Sequence, residues 1–251
     1  MPTAPIQAGS HSRLSVFEAC PRRALYQFVE KIPEPDRGEP PAKFKGEWPD
    51  ERGKRVHIET EEFVKGERKE LTKEMRHFED ELVAARTLYS KGNVICEQMW
   101  CFDNDWQPLP WNDDDPDKWR VFNNIAFRIK TDNTTFLSST RAIIVDYKTG
   151  KMWGNEVKHA EQLELYGIGA FIKFPQLEEV IAELWYFDVN DLKRQVFTKQ
   201  EAYRMLKSWD ERNKNMTSCT SFPPKPSLHT CRYCPFGPMK SGHCKEGIQE
   251  C

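Results

Sequence analysis

Two side chains of opposite charge close an apolar, strand-like segment of the chain. Asp146 and Lys148 follow the Ile-Ile-Val run at 143–145, and a Thr-Gly pair comes next. Because side chains alternate along a strand, we expect Asp146 and Lys148 on one face and Tyr147 on the other. Such a carboxylate can hold Mg²⁺ or Mn²⁺, while the ammonium positions water or steadies charge on a phosphate. A plain ion pair before a turn is the alternative interpretation.

Three further polar side chains could complete a catalytic site around this pair. Gln162 and Tyr166 are four residues apart in a segment predicted to be helical, so they share a face and could support the lysine or a phosphate. His57 lies near the start of an earlier predicted helix and could ligate a metal. A lone helical histidine is more often a surface or core residue, so the assignment of His57 depends on its companions.

The cysteines form a second candidate site. Of the eight in the chain, Cys231, Cys234 and Cys244 crowd the last 21 residues. The N-terminus has no basic start followed by an apolar stretch, which predicts an intracellular protein. Cysteines are normally reduced there, so this spacing favours a metal site over disulfides.

Composition limits the function classes only weakly. Charged residues make up 30% of the chain, apolar residues 38%, and the formal net charge is −2. These values are ordinary for a globular protein and give no independent support for nucleic-acid binding. No apolar run is long enough to cross a membrane, so no membrane partner is expected.

The elements that must position these residues follow from periodicity and turn signals. Helices are predicted in the first 91 residues, strands after Gly92, and a helix between the third and fourth strands. This order indicates a sheet with helices against it, hence an α/β or α+β fold. The predicted elements are helices at 53–66, 69–89, 155–171 and 198–209, and strands at 94–102, 120–130, 141–147 and 178–189.

Taken together, the motifs resemble those of the RecB-like PD-(D/E)XK nucleases. The shared order is Gly53-x-x-x-His57, a strand ending Asp146-Tyr-Lys-Thr-Gly150, and then Gln162-x-x-x-Tyr166. The opening segment 12–23, Ser-Arg-Leu-Ser-Val-Phe-Glu-Ala-Cys-Pro-Arg-Arg, is also similar. The group includes the RecB and AddB nuclease domains and the iron–sulfur exonucleases of CRISPR adaptation. The similarity runs from about Ser12 to Cys244.

This resemblance implies an α/β fold with a PD-(D/E)XK core, a mixed central sheet flanked by helices. It predicts one nuclease domain over 1–251, with a helical N-terminal part at 1–91 carrying Cys20 and His57, the core at 92–215, and a cysteine-rich tail at 216–251. It implies catalytic roles for Asp146, Lys148, Gln162 and Tyr166. His57, Asp146 and the Tyr147 carbonyl are the implied ligands of Mg²⁺ or Mn²⁺.

The resemblance also implies an iron–sulfur cluster that joins both ends of the chain. Remote Cys20 would complete a ligand set with Cys231, Cys234 and Cys244. Four thiolates suit a [4Fe–4S] cluster or zinc, and the resemblance favours the cluster. The nine residues between Cys234 and Cys244 exceed the usual spacing, which leaves His243 or Cys251 as alternative fourth ligands.

One position departs from the family pattern. A metal-binding aspartate is expected on the strand before Asp146, and alternation along 125–129 puts Ala126 at that position. A methyl group cannot ligate a cation, which predicts a disabled enzyme, either engineered or natural. Asp132 or Asn124 could substitute, but their spacing fits the motif less well.

The resulting prediction is a cytoplasmic, metal-dependent deoxyribonuclease of cellular, viral or phage origin. It would be an exonuclease that prefers single-stranded DNA or free ends, with some of the eight tryptophans available for base stacking. The alternatives are a non-catalytic iron–sulfur or zinc DNA-binding module, and a zinc-stapled interaction protein in which Asp146 and Lys148 only pair.

Overall fold

A six-stranded mixed sheet forms the centre of the computed structural model, which describes residues 5–111, 118–150 and 152–249. The strand order is β2-β1-β3-β4-β5-β6. Neighbouring strands are antiparallel except β4 and β5, which are parallel. The strands are β1 (Val94–Phe102), β2 (Pro108–Leu109), β3 (Phe127–Phe136), β4 (Arg141–Lys148), β5 (Glu179–Tyr186) and β6 (Asp191–Thr198).

Helices cover both faces of this sheet. Eight α-helices occur in the described residues, with a π-helical turn at Leu25–Val29 and 3₁₀ turns at Ala42–Phe44 and Met75–Phe78. The helices are α1 (His11–Ala19), α2 (Pro21–Ala24), α3 (Pro49–Lys65), α4 (Glu79–Tyr89), α5 (Trp119–Phe122), α6 (Glu156–Lys173), α7 (Lys199–Thr217) and α8 (Leu228–Arg232). None of the helices in the described ranges is long and apolar enough to span a membrane.

The two faces of the sheet carry separate cores, and β4 contributes to both. Ala142 and Ile144 pack into the larger core with α1, α6 and α7. Val145 and Tyr147 pack into the smaller core with α3 and α4. The predicted alternation on β4 is therefore confirmed, and Asp146 and Lys148 lie on the α6 side.

The C-terminal tail is anchored by apolar packing and by hydrogen bonds to the N-terminal helices. Phe222 and Phe236 are fully buried in the larger core. Arg22 donates to the Phe222 carbonyl at 3.0 Å, and Lys225 Nζ donates to the Glu18 carbonyl at 3.0 Å. The tail has little periodicity in its sequence, which predicts that it has no part in the core; this prediction was wrong, because isolated aromatic residues supply anchors that periodicity does not reveal.

The predicted mixed α/β architecture is confirmed, whereas several element boundaries were wrong. The strand expected at 120–130 is β3 at 127–136, and residues 119–122 are helical. The helix expected at 69–89 begins only at Glu79. The edge strand β6 was missed because it is mostly exposed and polar, as edge strands often are. Asp113–Asp115, for which the sequence predicts a solvated turn, lie outside the described residues.

Candidate active site

A cleft opens where β3 and β4 part. The last ladder pair between these strands is Asn133 with Val145. At the next position the Asp132 side chain replaces the backbone ladder, because the Tyr147 N–H donates to Asp132 Oδ2 at 2.7 Å. The carboxylate of Asp132 therefore lies at the fork between the strands, close to Asp146 on the other side.

The backbone is irregular at this same level of the sheet. On β1, Cys96 packs against the α3–α4 side, whereas Trp100, which shares its parity, packs against α6. The reversal coincides with Glu97, whose φ of 50° is rare for a residue with a side chain. Such strained positions concentrate at functional sites. The reversal at Glu97 brings one of its carboxylate oxygens to within 4.8 Å of ligand atoms of His57 and Asp132.

Ala126 lies outside this cleft, which corrects the motif assignment. Its carbonyl accepts from the Gly9 N–H at 2.8 Å and from Asn213 Nδ2 at 3.2 Å. Ala126 and Asp132 are six residues apart, roughly 20 Å along an extended chain. Asp132, considered less suitable from its spacing, is the residue that contacts His57, so alanine at position 126 gives no reason to expect a disabled enzyme. Asn124 precedes even Ala126 and is not part of β3.

His57 on α3 faces both Asp132 and β4. Its Nε2 lies 2.7 Å from the Tyr147 carbonyl oxygen, and its Nδ1 lies 3.3 Å from Asp132 Oδ2. Burial lowers the pKa of His57, but the hydrogen bond and charge of Asp132 outweigh burial and raise it to about 9. The imidazole thus lies among the groups predicted to bind the metal, Tyr147 carbonyl included.

Helix α3 packs closely against the turn that follows β4. A Cβ at Gly53 would lie 3.2 Å from Thr149 Oγ1, so a larger residue would require a small shift of the Thr149 side chain. Asp188 bridges the two elements, because it accepts from Arg52 at 2.6 Å and from the Gly150 N–H at 2.6 Å. These contacts explain physically the Gly-x-x-x-His spacing, since they place His57 one helical turn from the strand end.

On the α6 side, four side chains form one hydrogen-bonded network. Lys148 Nζ donates to Gln162 Oε1 at 2.8 Å, and Gln162 Nε2 lies 2.8 Å from Asp146 Oδ1. The Tyr166 hydroxyl also donates to Asp146 Oδ1. Lys148 Nζ lies 2.5 Å from Asp146 Oδ2 as an ion pair outside hydrogen-bond geometry, so that buried oxygen accepts no hydrogen bond. Asp146, Lys148, Gln162 and Tyr166 are thus together, as predicted.

The electrostatics of the cleft suit a divalent cation. Burial and the charge of Asp146 raise the pKa of Asp132, and burial and the charge of Asp132 raise the pKa of Glu97. Carboxylates with raised pKa values repel one another and are stabilised by a bound cation. His57, Glu97, Asp132 and the Asp146 oxygen that accepts no hydrogen bond offer mostly hard oxygen ligands of the kind that Mg²⁺ and Mn²⁺ prefer. The residues present therefore fit the metal that the motifs imply.

The four cysteines that are predicted to bind a cluster lie together at the C-terminal end of α1. Cys20, Cys231, Cys234 and Cys244 line one small cavity. The Lys225 N–H lies 3.5 Å from Cys20 Sγ, in the geometry of a donor to sulfur. Gly237 allows the tail to fold this tightly, because a Cβ there would lie 2.7 Å from the Cys231 carbonyl oxygen.

The two alternative fourth ligands have different outcomes. His243 packs edge-on against Tyr26, with ring centroids 4.7 Å apart, and is not among the residues that line the cysteine cavity. Cys251 lies outside the described residues. The geometry therefore favours Cys244 over His243 as the fourth ligand.

Comparison with known proteins gives the family. The family model of the PD-(D/E)XK nuclease superfamily matches residues 8–239, and the chain belongs to this superfamily. No curated protein matches significantly. SSO0001 is 13% identical, with TM-score 0.40, over 97% of this chain and 88% of its own. A candidate exonuclease from Eubacterium rectale is 10% identical, with TM-score 0.49, over 91% of this chain and 87% of its own. At such values neither likeness carries an argument about activity.

Proposed function

We propose that this chain is an active, metal-dependent deoxyribonuclease that acts as an exonuclease with a preference for single strands. The observation that carries the proposal is the group of His57, Glu97 and Asp132, whose ligand atoms lie within 4.8 Å of one another. The ion pair of Asp146 with Lys148 lies beside this group at the fork between β3 and β4. Membership of the superfamily supports a nuclease. Asp132 supplies the acidic ligand that Ala126 lacks, so alanine at position 126 is no longer a reason to expect inactivity.

The proposed roles follow from the contacts in the cleft. Glu97, Asp132, Asp146, His57 and the Tyr147 carbonyl would hold Mg²⁺ or Mn²⁺. The bound ion would polarise the scissile phosphate and make a coordinated water more acidic. Lys148, fixed between Asp146 and Gln162, orients the attacking water and stabilises charge on the phosphate.

Gln162 and Tyr166 act as positioning residues in this scheme. Gln162 contacts Asp146, Lys148 and the Tyr166 hydroxyl at once, the last at 2.7 Å. These contacts hold the lysine and the carboxylate in one arrangement before substrate arrives, which lowers the cost of reorganisation during the reaction.

An exposed aromatic residue near the cleft supports the single-strand preference. Trp153, five residues after Lys148, is 73% exposed, and Val157 is 74% exposed. A solvent-exposed indole offers a stacking surface for an unpaired base, which a duplex does not present. A groove of about 630 Å³ lined by His57, Glu97, Lys54 and Lys130 leads to the metal ligands from the α3 side.

The test compares the wild-type chain with Lys148→Ala on end-labelled single- and double-stranded DNA, in Mg²⁺, Mn²⁺ or EDTA. We expect cleavage only with metal, faster on single strands, and at least a hundredfold slower in the variant. Lys240→Ala, a lysine of the tail, is the matched control and should cleave as the wild type does. Binding without cleavage by the wild type in any metal would favour the non-catalytic module instead.

We further propose that Cys20, Cys231, Cys234 and Cys244 hold a [4Fe–4S] cluster that links α1 to the tail. Their position around one cavity supports a common ligand, and thiolates are the usual ligands of such clusters. Anaerobically purified protein should absorb near ~400 nm and contain iron and sulfide. Cys234→Ser should lose this signal and Cys219→Ser should keep it, whereas zinc without iron would contradict the assignment.

A further inference from the structure

A second cavity adjoins the candidate active site on the side away from the α3 groove. It has a volume of about 170 Å³, and Gln162 and Tyr166 form the wall that it shares with the catalytic network. Lys130 lines both this cavity and the α3 groove, so the same β3 side chain borders both spaces. A strand that extends from the groove past Lys130 would reach this cavity.

The cavity is lined by groups that suit an anion. Ser10, His11 and Ser12 come from the start of α1, and Arg128 and Lys130 come from β3. Arg128 has no carboxylate partner among the described residues, whereas Lys130 lies 2.5 Å from Glu97. The buried ring nitrogen Nε2 of His11 has no hydrogen-bond partner among the described residues. Glu161 Oε2 lies 3.8 Å from this nitrogen, and Glu161 is also paired with Arg212 at 3.0 Å.

A second guanidinium group strengthens the positive charge around Arg128. Arg13 donates to the Ala8 carbonyl at 2.8 Å and lines a smaller cavity together with Arg128. Burial and the charge of Arg128 lower the pKa of Arg13. No carboxylate of the described residues separates these two arginines, and such an arrangement is stabilised when an anion binds.

The N-terminal segment borders the cavity, because Gly9 directly precedes the lining residue Ser10. Gly9 pairs with the start of β3, because the Gly9 N–H donates to the Ala126 carbonyl at 2.8 Å and the Arg128 N–H donates to the Gly9 carbonyl at 3.0 Å. On its other side this segment packs on α7, and a Cβ at Gly9 would lie 2.0 Å from Asn213 Oδ1. This packed segment lies beside Ser10 and Arg128, which favours the end of a strand over an internal segment as the occupant of the cavity.

We propose that this cavity binds the terminal phosphate of a DNA strand, with Arg128 as its main ligand and Ser10, Ser12 and His11 as further donors. The inference rests on the proposed function and adds the substrate class: a phosphorylated strand end, cut a short distance from that end. An anion pocket beside the catalytic groups favours cleavage near ends, because it holds a terminal phosphate next to them. The chemistry is the same for a 5′ or a 3′ phosphate, and the experiment separates them.

The experiment measures kcat/KM with Mn²⁺ on one single-stranded sequence that carries a 5′ phosphate, a 3′ phosphate or neither, and on its circular form. The variants are Arg128→Ala, Arg128→Lys and the control Arg141→Ala, an arginine at the far end of β4 paired with Glu179. We expect one terminal phosphate to raise the wild-type value at least about tenfold, as a charge-assisted hydrogen bond allows. That ratio should fall to about one in Arg128→Ala, be intermediate in Arg128→Lys and persist in Arg141→Ala.

Three results would overturn the inference: equal rates with and without either phosphate, a ratio that Arg128→Ala retains, or circular DNA cut as fast as linear DNA. A wild-type chain that cuts nothing would instead contradict the proposed function. In that event, fluorescence anisotropy with the same linear strands in EDTA still tests the pocket. About tenfold tighter binding of one phosphorylated strand, lost in Arg128→Ala, supports it, and equal affinities refute it.

Discussion

Replacing Asp132 with asparagine changes one charge and almost no shape. The Asn Oδ1 atom can still accept the Tyr147 N–H, which donates to Asp132 at 2.7 Å. The contact with His57 Nδ1 at 3.3 Å loses its charge. The variant therefore tests the carboxylate as a metal ligand with little disturbance of the fold.

The size of the effect follows from the geometry of the ligands. Two unit charges 4 Å apart interact by about 4 kcal/mol at an effective dielectric constant of about 20. The ligand atoms of His57, Glu97 and Asp132 lie within 4.8 Å of one another, so a cation held among them is close to the Asp132 carboxylate. Loss of this charge should weaken metal binding by about 4 kcal/mol, close to a thousandfold. The cleavage rate at a subsaturating metal concentration should fall by a similar factor.

The thermal stability of the metal-free Asp132→Asn variant should not fall as its metal affinity does. Burial and the charge of Asp146 raise the pKa of Asp132, so the fold disfavours its ionised form. Removal of that charge should leave Tm in EDTA unchanged or raise it, as at sites where function and stability conflict. Calorimetric titration with Mn²⁺, cleavage assays and thermal unfolding in EDTA measure the three effects. If the variant kept the Mn²⁺ affinity of the wild type, or if its Tm fell by more than about 5 °C, the proposed role of the Asp132 carboxylate would be wrong.

The variant Ala126→Asp is the complementary test of the motif assignment. Ala126 is 6% exposed and is held by Gly9 and Asn213, away from the cleft. A carboxylate there would be buried without a charged partner, which costs several kcal/mol. We expect lower Tm and no gain in cleavage, and a gain in metal-dependent cleavage would show that the assignment of Asp132 is wrong.

Three further predictions concern the surroundings of the site. Trp153→Ala should weaken binding of single-stranded DNA by about 1–3 kcal/mol in anisotropy measurements, whereas Tyr233→Ala, an exposed aromatic of the tail, should not; equal effects would contradict a stacking role. Burial and then the charge of Lys148 lower the pKa values of His11 and His159 to about 4, below the ordinary 6.5. Because the unfolded chain binds more protons between these values, Tm should fall as pH drops from 7 to 4, and replacing both histidines with Asn should flatten that slope. Cys234→Ser should lower Tm without unfolding the tail, as hydrogen exchange can verify, because Phe222 and Phe236 anchor it; complete loss of protection in the tail would contradict that packing.

The residues that sequence patterns located correctly lie on regular elements. Asp146 and Lys148 close an apolar strand with strict alternation, and Gln162 and Tyr166 are one turn apart on α6. Local geometry fixes such pairs, so spacing alone brought them to one face. The cysteine cavity was likewise predicted from spacing and resemblance together.

Asp132 and Glu97 could not be placed by the same reasoning. The segment Thr131–Thr135 is polar and would ordinarily indicate a loop, yet its five residues are buried in the centre of the sheet. Their polar side chains are accommodated by contacts from other elements, such as the Tyr147 N–H and His57. Glu97 enters the site because side-chain alternation on β1 reverses at a backbone with φ of 50°. The signal available in the sequence was a run of Thr, Asp and Asn residues between apolar strand residues.

In the proposed mechanism, carboxylates from β1, β3 and β4 hold the catalytic cation at the fork between β3 and β4. Diffraction from crystals soaked in Mn²⁺, with data collected at the manganese absorption edge, tests this arrangement. We expect an anomalous peak bonded to Asp132 and Asp146, near the Tyr147 carbonyl, at metal–oxygen distances of about 2.1 Å. A Mn²⁺ peak elsewhere, with only water or nothing between these two carboxylates, would contradict it.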